Sequence, residues 1–151
     1  MTSKKIKIRK SFKGVKESSE VKKLLLVIPR IIEEVNPLIP DSVHELSLTF
    51  CSDEYIKKIN ANFRGKNKPT DVLSFPLIVE GDLFCPSLGD LIISLPTAKR
   101  QAKEYQVTYL YELKKLFIHG ILHLLGFDHE KVSQKERMKM KRMEKKLIEK
   151  Y

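Results

Sequence analysis

The chain has 151 residues, with 29 lysines and arginines against 19 aspartates and glutamates, which gives a net charge of +10. This length predicts a single domain over residues 1–151, and the apolar fraction suffices for one core. No apolar run approaches the roughly eighteen residues of a membrane span, and the basic N-terminus lacks the apolar segment of a secretory signal. Because Cys51 and Cys85 form no C-x-x-C pair, we expect reduced thiols and a cytoplasmic protein.

The first third of the chain predicts a strand and a helix. Polar and apolar residues alternate over residues 5–9, as in a half-buried strand. Apolar residues then recur at helical spacing over residues 20–35, and Ser18 or Ser19 can cap this helix. Pro29 lies inside the helix and should kink or split it.

A second strand and helix follow. The strand covers residues 45–51, and Ser52 caps a helix over residues 53–63 that we expect to be buried through Ile56, Ile59 and Phe63. A polar loop over residues 64–71 leads to a third strand over residues 72–75. We expect four phenylalanines to belong to the core rather than to stack on a ligand: Phe63, Phe75, Phe117 and Phe127.

The second half of the chain predicts one more strand and three helices. A loop over residues 80–89 precedes an apolar strand over residues 90–95 and a short helix over residues 96–105. Thr108 can cap a long helix that ends at Leu125, and Ser133 and Glu136 form a capping box for the terminal helix. The pattern indicates an α+β fold with mixed α/β layers, in which helices pack on a mixed sheet of about four strands.

Three of the four histidines lie within eleven residues, at His119, His123 and His129. On a helix, His119 and His123 project from one face about one turn apart and can bind one ion. Gly126 can end that helix in a left-handed turn, so that the chain reverses and His129 supplies a third nitrogen. Three imidazoles with a fourth position left open are typical of a catalytic zinc site rather than a structural one.

This spacing matches the zinc-protease pattern H-E-x-x-H-x-x-G-x-x-H at every metal and turn position, but the glutamate that acts as general base is missing. Gly120 stands where the protease has its glutamate, and glycine has no side chain that could accept a proton. We therefore interpret the site as that of a metal hydrolase whose substrate is not a peptide. An alternative is that the first two histidines are unrelated residues of one helix.

Three further residues are candidates for the site. Arg64 opens a loop rich in glycine, lysine and proline, where a guanidinium can hold a phosphate and stabilise charge on a phosphoryl oxygen. Glu112 lies two turns before His119 on the same helix face and could orient a histidine or a water, or could pair with Lys115. Asp128 could accept a hydrogen bond from an imidazole. His44, before a strand, is expected to be a surface residue.

The net charge favours a polyanionic partner, and nucleic acid is the commonest one. The alternative is a solvated surface, because glutamates are interspersed with the basic residues of the terminal helix. The basic residues cluster at the two ends of the chain: Lys4, Lys5, Lys7, Arg9, Lys10 and Lys13 at the front, and Lys135, Arg137, Lys139, Lys141, Arg142, Lys145 and Lys146 at the back.

The histidine segment resembles the H-G-x-L-H-L-x-G-[YF]-D-H signature of the YbeY family, bacterial metal-dependent endoribonucleases that mature ribosomal RNA. Residues 60–75 resemble that family's R-G-x-x-x-P-T-D-V-L-S-F stretch, and residues 88–94 resemble its L-G-D-I-x-I-S strand. Glu112 falls where the helix glutamate of the family precedes the first histidine. The resemblance covers about residues 50–130.

The resemblance implies a zincin-like fold and one Zn²⁺ per chain, bound by His119, His123 and His129. It implies Arg64 as the substrate-binding or catalytic arginine. The implied activity is single-strand-specific endoribonuclease action in 3′-end maturation of small-subunit rRNA and in ribosome quality control. The implied partners are rRNA, the ribosome and ribosomal or assembly proteins.

Two alternatives stay open at this point. The chain could be a metal hydrolase of a substrate other than RNA, although Gly120 argues against peptides. It could also be a ribosome-assembly factor without catalytic activity, whose metal only stabilises the fold. An open fourth position on the metal argues against that reading, since structural zinc sites usually have four protein ligands.

Overall fold

The computed structural model describes residues 4–77, 85–127 and 133–151. Within these residues a four-stranded mixed sheet has the order β1-β2-β4-β3. The strands are β1 (Lys7–Lys13), β2 (Glu45–Cys51), β3 (Val72–Pro76) and β4 (Ser87–Ser94). Strands β1, β2 and β4 are mutually parallel, whereas β3 is antiparallel to β4 and forms one edge of the sheet. The predicted mixed α/β fold is confirmed.

Five α-helices accompany the sheet in the described ranges: α1 (Ser19–Val35), α2 (Asp53–Arg64), α3 (Leu95–Glu104), α4 (Tyr109–Leu124) and α5 (Gln134–Lys150). Serine or threonine caps each N-terminus, and Ser52, Thr108 and Ser133 do so as predicted. Helix α1 is continuous through Pro29, so the predicted split is wrong. Pro29 is exposed, and solvent can therefore satisfy the carbonyl that its missing N–H leaves without a partner.

Apolar residues form one cluster on each face of the sheet because side chains alternate along a strand. The larger cluster packs Leu46, Leu48 and Phe50 of β2 with residues of α1, α4 and α5. The smaller cluster joins α2 to the other face through Cys51, Ile56, Leu73 and Ile92. Helices α2 and α4 therefore lie on opposite faces of the sheet. Both cysteines are free, and burial raises the pKa of the Cys51 thiol to about 12.

Strand β4 begins at Ser87, so the predicted loop over residues 80–89 is wrong in its last three residues. Residues 78–84 of that loop lie outside the described part of the chain. None of the described helices is long and apolar enough to span a membrane.

Candidate metal centre

Helix α4 carries the first two predicted metal ligands. It starts where Thr108 Oγ1 accepts a hydrogen bond from the backbone N–H of Tyr111, and it packs on β3 and β4. After its last turn, Gly126 has a φ of +97° and donates a backbone hydrogen bond to His123 O at 3.0 Å. The predicted left-handed turn at Gly126 is confirmed. Residues 128–132, which include Asp128 and His129, lie outside the described residues.

The imidazole rings of His119 and His123 approach each other through their Nε2 atoms. Their Nε2 atoms are 3.1 Å apart, and the ring centroids are 4.6 Å apart at an interplanar angle of 65°. Two imidazole nitrogens bound to one tetrahedral zinc would be about 3.3 Å apart, since each Zn–N bond is about 2.0–2.1 Å. The separation of the two nitrogens thus suits a hydrogen bond between the rings and is also close to that of two ligands of one ion.

A carboxylate of the terminal helix contacts Nδ1 of His119, the ring nitrogen that does not face His123. Glu144 of α5 places Oε1 2.6 Å from His119 Nδ1, and the two side chains are 33% and 28% exposed. A carboxylate at Nδ1 favours the tautomer whose proton is on that nitrogen, which leaves the Nε2 lone pair facing His123. Sequence reasoning did not identify Glu144, because only the packing of α5 on α4 brings it to His119.

The third predicted ligand is His129, which the described residues do not include. In residues 4–77, 85–127 and 133–151, no group of three or more His, Cys, Asp or Glu side chains could hold a metal ion. His129 is outside those ranges, so the three-histidine set stays a prediction that the described pair fits. His44 is exposed and precedes β2, as predicted.

Gly120 is buried against the sheet. A Cβ built on it would lie 2.7 Å from Leu91 Cδ2 and 3.5 Å from Ser74 Oγ. Ser74 Oγ also donates a hydrogen bond to Gly120 O at 3.4 Å, so that β3 contacts α4 directly beside His119. The position where a zinc protease has its glutamate therefore leaves no room for a side chain unless Leu91 moves.

Arg64 is the last residue of α2 and is exposed. Its guanidinium forms no hydrogen bond or ion pair with the part of the chain that the structure describes. Helix α2 is on the sheet face opposite α4, so Arg64 and the histidines are separated by the edge strand β3. The structure therefore does not bring Arg64 into contact with the histidine pair, and its catalytic role stays a prediction.

Glu112 lies in the first turn of α4 and is fully buried. Lys115 Nζ is 3.1 Å from Glu112 Oε2, yet neither carboxylate oxygen accepts a well-aligned hydrogen bond within the described residues. Seven residues of helix separate Glu112 from His119 by about 10 Å along the axis, which is too far for a direct hydrogen bond. The carboxylate in contact with His119 is instead that of Glu144, and a catalytic role for Glu112 stays a prediction.

The mixed sheet and the histidine pair define a mixed α/β protein with a candidate metal centre on a helix packed against the sheet. The family model described as "Endoribonuclease YbeY" matches residues 5–151. The chain belongs to this family.

Relatives named Endoribonuclease YbeY are similar over most of the chain. The protein of Persephonella marina is 46% identical over 123 residues, which cover 81% of this chain and 77% of that protein. The protein of Sulfurihydrogenibium sp. is 47% identical over 115 residues, which cover 75% of this chain and 73% of that protein. The solution structure of TM1509 from Thermotoga maritima is similar with a TM-score of 0.63 and 33% identity, and the match covers 94% of this chain and 87% of that one.

Proposed function

We propose that this chain is a zinc-dependent, single-strand-specific endoribonuclease that acts in 3′-end maturation of small-subunit rRNA and in ribosome quality control. Its family makes it an endoribonuclease, a hydrolase acting on RNA. The observation that carries the zinc proposal is the convergence of His119 and His123 at 3.1 Å between their Nε2 atoms. The net charge of +10 supports an RNA or ribosome partner, and the two free cysteines suit a cytoplasmic protein.

In this proposal His119, His123 and His129 hold the ion. Zinc, when bound, supplies Lewis-acid chemistry at the phosphoryl group and lowers the pKa of water. Glu144 holds the Nδ1 proton of His119 and fixes the ring, so that Nε2 stays directed at the ion. Arg64 binds the phosphate through its guanidinium and stabilises the charge that develops on a phosphoryl oxygen.

Gly120 supports a phosphodiester substrate over a peptide. Glycine has no side chain that can take a proton. A larger residue at this position would overlap with Leu91. Position 120 therefore supplies no general base for the attacking water.

Cleavage of RNA by matched variants tests the proposal. Zinc-loaded protein, freed of other nucleases, is incubated with single-stranded RNA and with the same sequence as a duplex. We expect cleavage of the single strand only, with losses of at least about 100-fold in His123→Ala and Arg64→Ala. The exposed residues His44 and Arg30 provide the matched controls His44→Ala and Arg30→Ala, which should cleave normally. Equal cleavage by all five proteins would overturn the proposal.

A further inference from the structure

Phe63, in the last turn of α2, is 70% exposed, so its predicted place in the core is wrong. The helix buries Ile56 and Asn60 under the sheet. Phe63 reaches only the edge of that sheet, where its ring meets Phe75 of β3 with centroids 5.6 Å apart at 61°. Among the strands that the structure describes, β3 is the edge strand, and none lies beyond it to cover the outer side of the Phe63 ring.

The backbone that follows Phe63 is tied to the helix. Gly65 ends α2 with a φ of +67°, and the N–H of Lys66 donates to Asn60 O at 3.2 Å. The buried Asn60 side chain donates through Nδ2 to Lys68 O at 2.9 Å. The loop is thus held in one conformation beside the exposed ring, and little ordering would be needed when a ligand binds.

This surface is strongly basic. Arg64, Lys66 and Lys68 are all exposed, and none of them forms an ion pair with another described residue. Residues 60–70 contain no aspartate or glutamate. One exposed aromatic ring is thus followed within five residues by three exposed cationic side chains, a combination that suits a polyanion carrying flat bases better than an apolar protein surface.

We propose that Phe63, Arg64, Lys66 and Lys68, here named the Phe63 platform, bind single-stranded RNA. In this proposal an unpaired base stacks on the Phe63 ring while Lys66 and Lys68 bind the flanking phosphates, and Arg64 keeps the role proposed for it above. The proposal rests on the proposed function, because it assigns a binding surface for the RNA that the metal centre cleaves. A base inside a duplex cannot reach the ring, so the platform provides a physical basis for single-strand preference.

The edge strand connects the platform to the metal centre. Phe75 supports the Phe63 ring on one face of β3, and the adjacent Ser74 contacts Gly120, next to His119, on the other face. A single strand of RNA that crosses the edge of β3 would therefore contact the platform on one side and the histidines on the other.

Equilibrium binding without cleavage tests the platform. All proteins carry His123→Ala, and the probes are a fluorescent single-stranded oligoribonucleotide and an abasic oligomer of the same length. Stacking on one aromatic ring predicts that Phe63→Ala weakens binding of the normal oligomer about 5- to 150-fold and leaves abasic binding unchanged. Phe63→Tyr should retain affinity, since it keeps a flat ring.

Leu26 provides the matched control, because it is 79% exposed on α1 and therefore similarly accessible. Leu26→Ala should bind both probes like the parent protein. Lys66→Ala and Lys68→Ala should weaken both probes alike and each lower the salt dependence by about one counterion.

The outcomes separate the two proposals. If Phe63→Ala binds the normal oligomer as tightly as the parent while wild type still cleaves RNA, the platform is wrong and the proposed function stands. Equal weakening of both probes by Phe63→Ala would also overturn stacking. If the parent binds no single-stranded RNA and wild type cleaves none, the proposed function fails and the platform fails with it.

Discussion

The Oε1 atom of Glu144 lies 2.6 Å from Nδ1 of His119, which connects the terminal helix α5 to the candidate metal centre on α4. The contact joins residues 25 positions apart. It gives α5 a role beyond covering the core, because the orientation of a predicted metal ligand then depends on how this helix packs.

Loss of the Glu144 carboxylate should weaken metal binding without removing a ligand. Partners of a ligand histidine typically contribute about 10- to 100-fold to metal affinity, so we expect Glu144→Ala to weaken zinc binding by that factor and Glu144→Gln by less. Competition with a chromogenic chelator measures the affinity. Nitrogen-15 NMR of the His119 ring reports its tautomer, and the proton should leave Nδ1 in a larger fraction of Glu144→Ala molecules.

Glu149 on the same helix provides the control, since it is exposed and contacts only Lys145, at 3.9 Å, within the described residues. Glu149→Ala should bind zinc like wild type. An unchanged zinc affinity in Glu144→Ala would show that the contact does not position His119.

Gly89 should be required for full stability. A Cβ on this residue would lie 2.4 Å from Phe75 O and 2.9 Å from Leu124 Cδ2, and its φ is +143°. Strain and steric overlap together predict that Gly89→Ala lowers the free energy of unfolding by about 2–4 kcal/mol in urea denaturation. Gly65→Ala is the comparison, because Gly65 has a φ of +67° but no atom within 4 Å of its Cβ position. It should cost only about 1 kcal/mol, and equal losses in the two variants would contradict this account.

Introducing the missing protease glutamate should not create a protease. Gly120→Glu would press a charged side chain against Leu91, which is fully buried, so we expect a loss of about 3 kcal/mol or more in the free energy of unfolding. Thermal unfolding measures this loss, and a casein assay should detect no peptidase activity. A stable Gly120→Glu protein that hydrolyses peptides would contradict both the lack of room for a side chain at position 120 and the preference for a phosphodiester substrate.

Asp53 should give the protein an acid-sensitive contribution to stability. Burial alone would raise the pKa of Asp53, but hydrogen bonds from Ser94, Thr97 and Arg100 outweigh it and lower the pKa below 3.8. The ionised carboxylate therefore stabilises the fold fully above pH 3.8, and this contribution is lost as the pH falls through the lower native pKa.

We expect Asp53→Asn to lower the free energy of unfolding by about 1–2 kcal/mol at pH 7 and the difference from wild type to close at acid pH. Urea denaturation from pH 7 to pH 2.5 measures it. Glu54→Gln, in the same helical turn but exposed, should differ from wild type by less than about 0.5 kcal/mol throughout. A difference that stays constant as the pH falls from 7 to 2.5 would argue against the carboxylate.

Local sequence patterns predicted much of the fold. The strand over residues 45–51, the caps at Ser52 and Thr108 and the left-handed turn at Gly126 depend on period-two alternation, on side-chain hydrogen bonds to nearby N–H groups and on backbone sterics. These are interactions between residues close together in the chain, and so they can be inferred from spacing alone.

The errors and omissions come from tertiary structure. The helical spacing of Phe63 predicted burial, but the helix end meets only the sheet edge, which the strand order determines. Glu144 reaches His119 only because α5 packs on α4, and no local pattern carries that information. The spacing did identify His119 and His123 as a pair, since four residues on a helix place both rings on one face.

Removal and restoration of zinc test the central claim most directly. The protein is stripped with a chelator, its zinc content is measured, and cleavage of single-stranded RNA spanning a small-subunit rRNA 3′ end is followed as zinc is added back. We predict no cleavage by the stripped protein and full recovery at one zinc per chain. Undiminished cleavage by protein that contains no zinc would contradict the account.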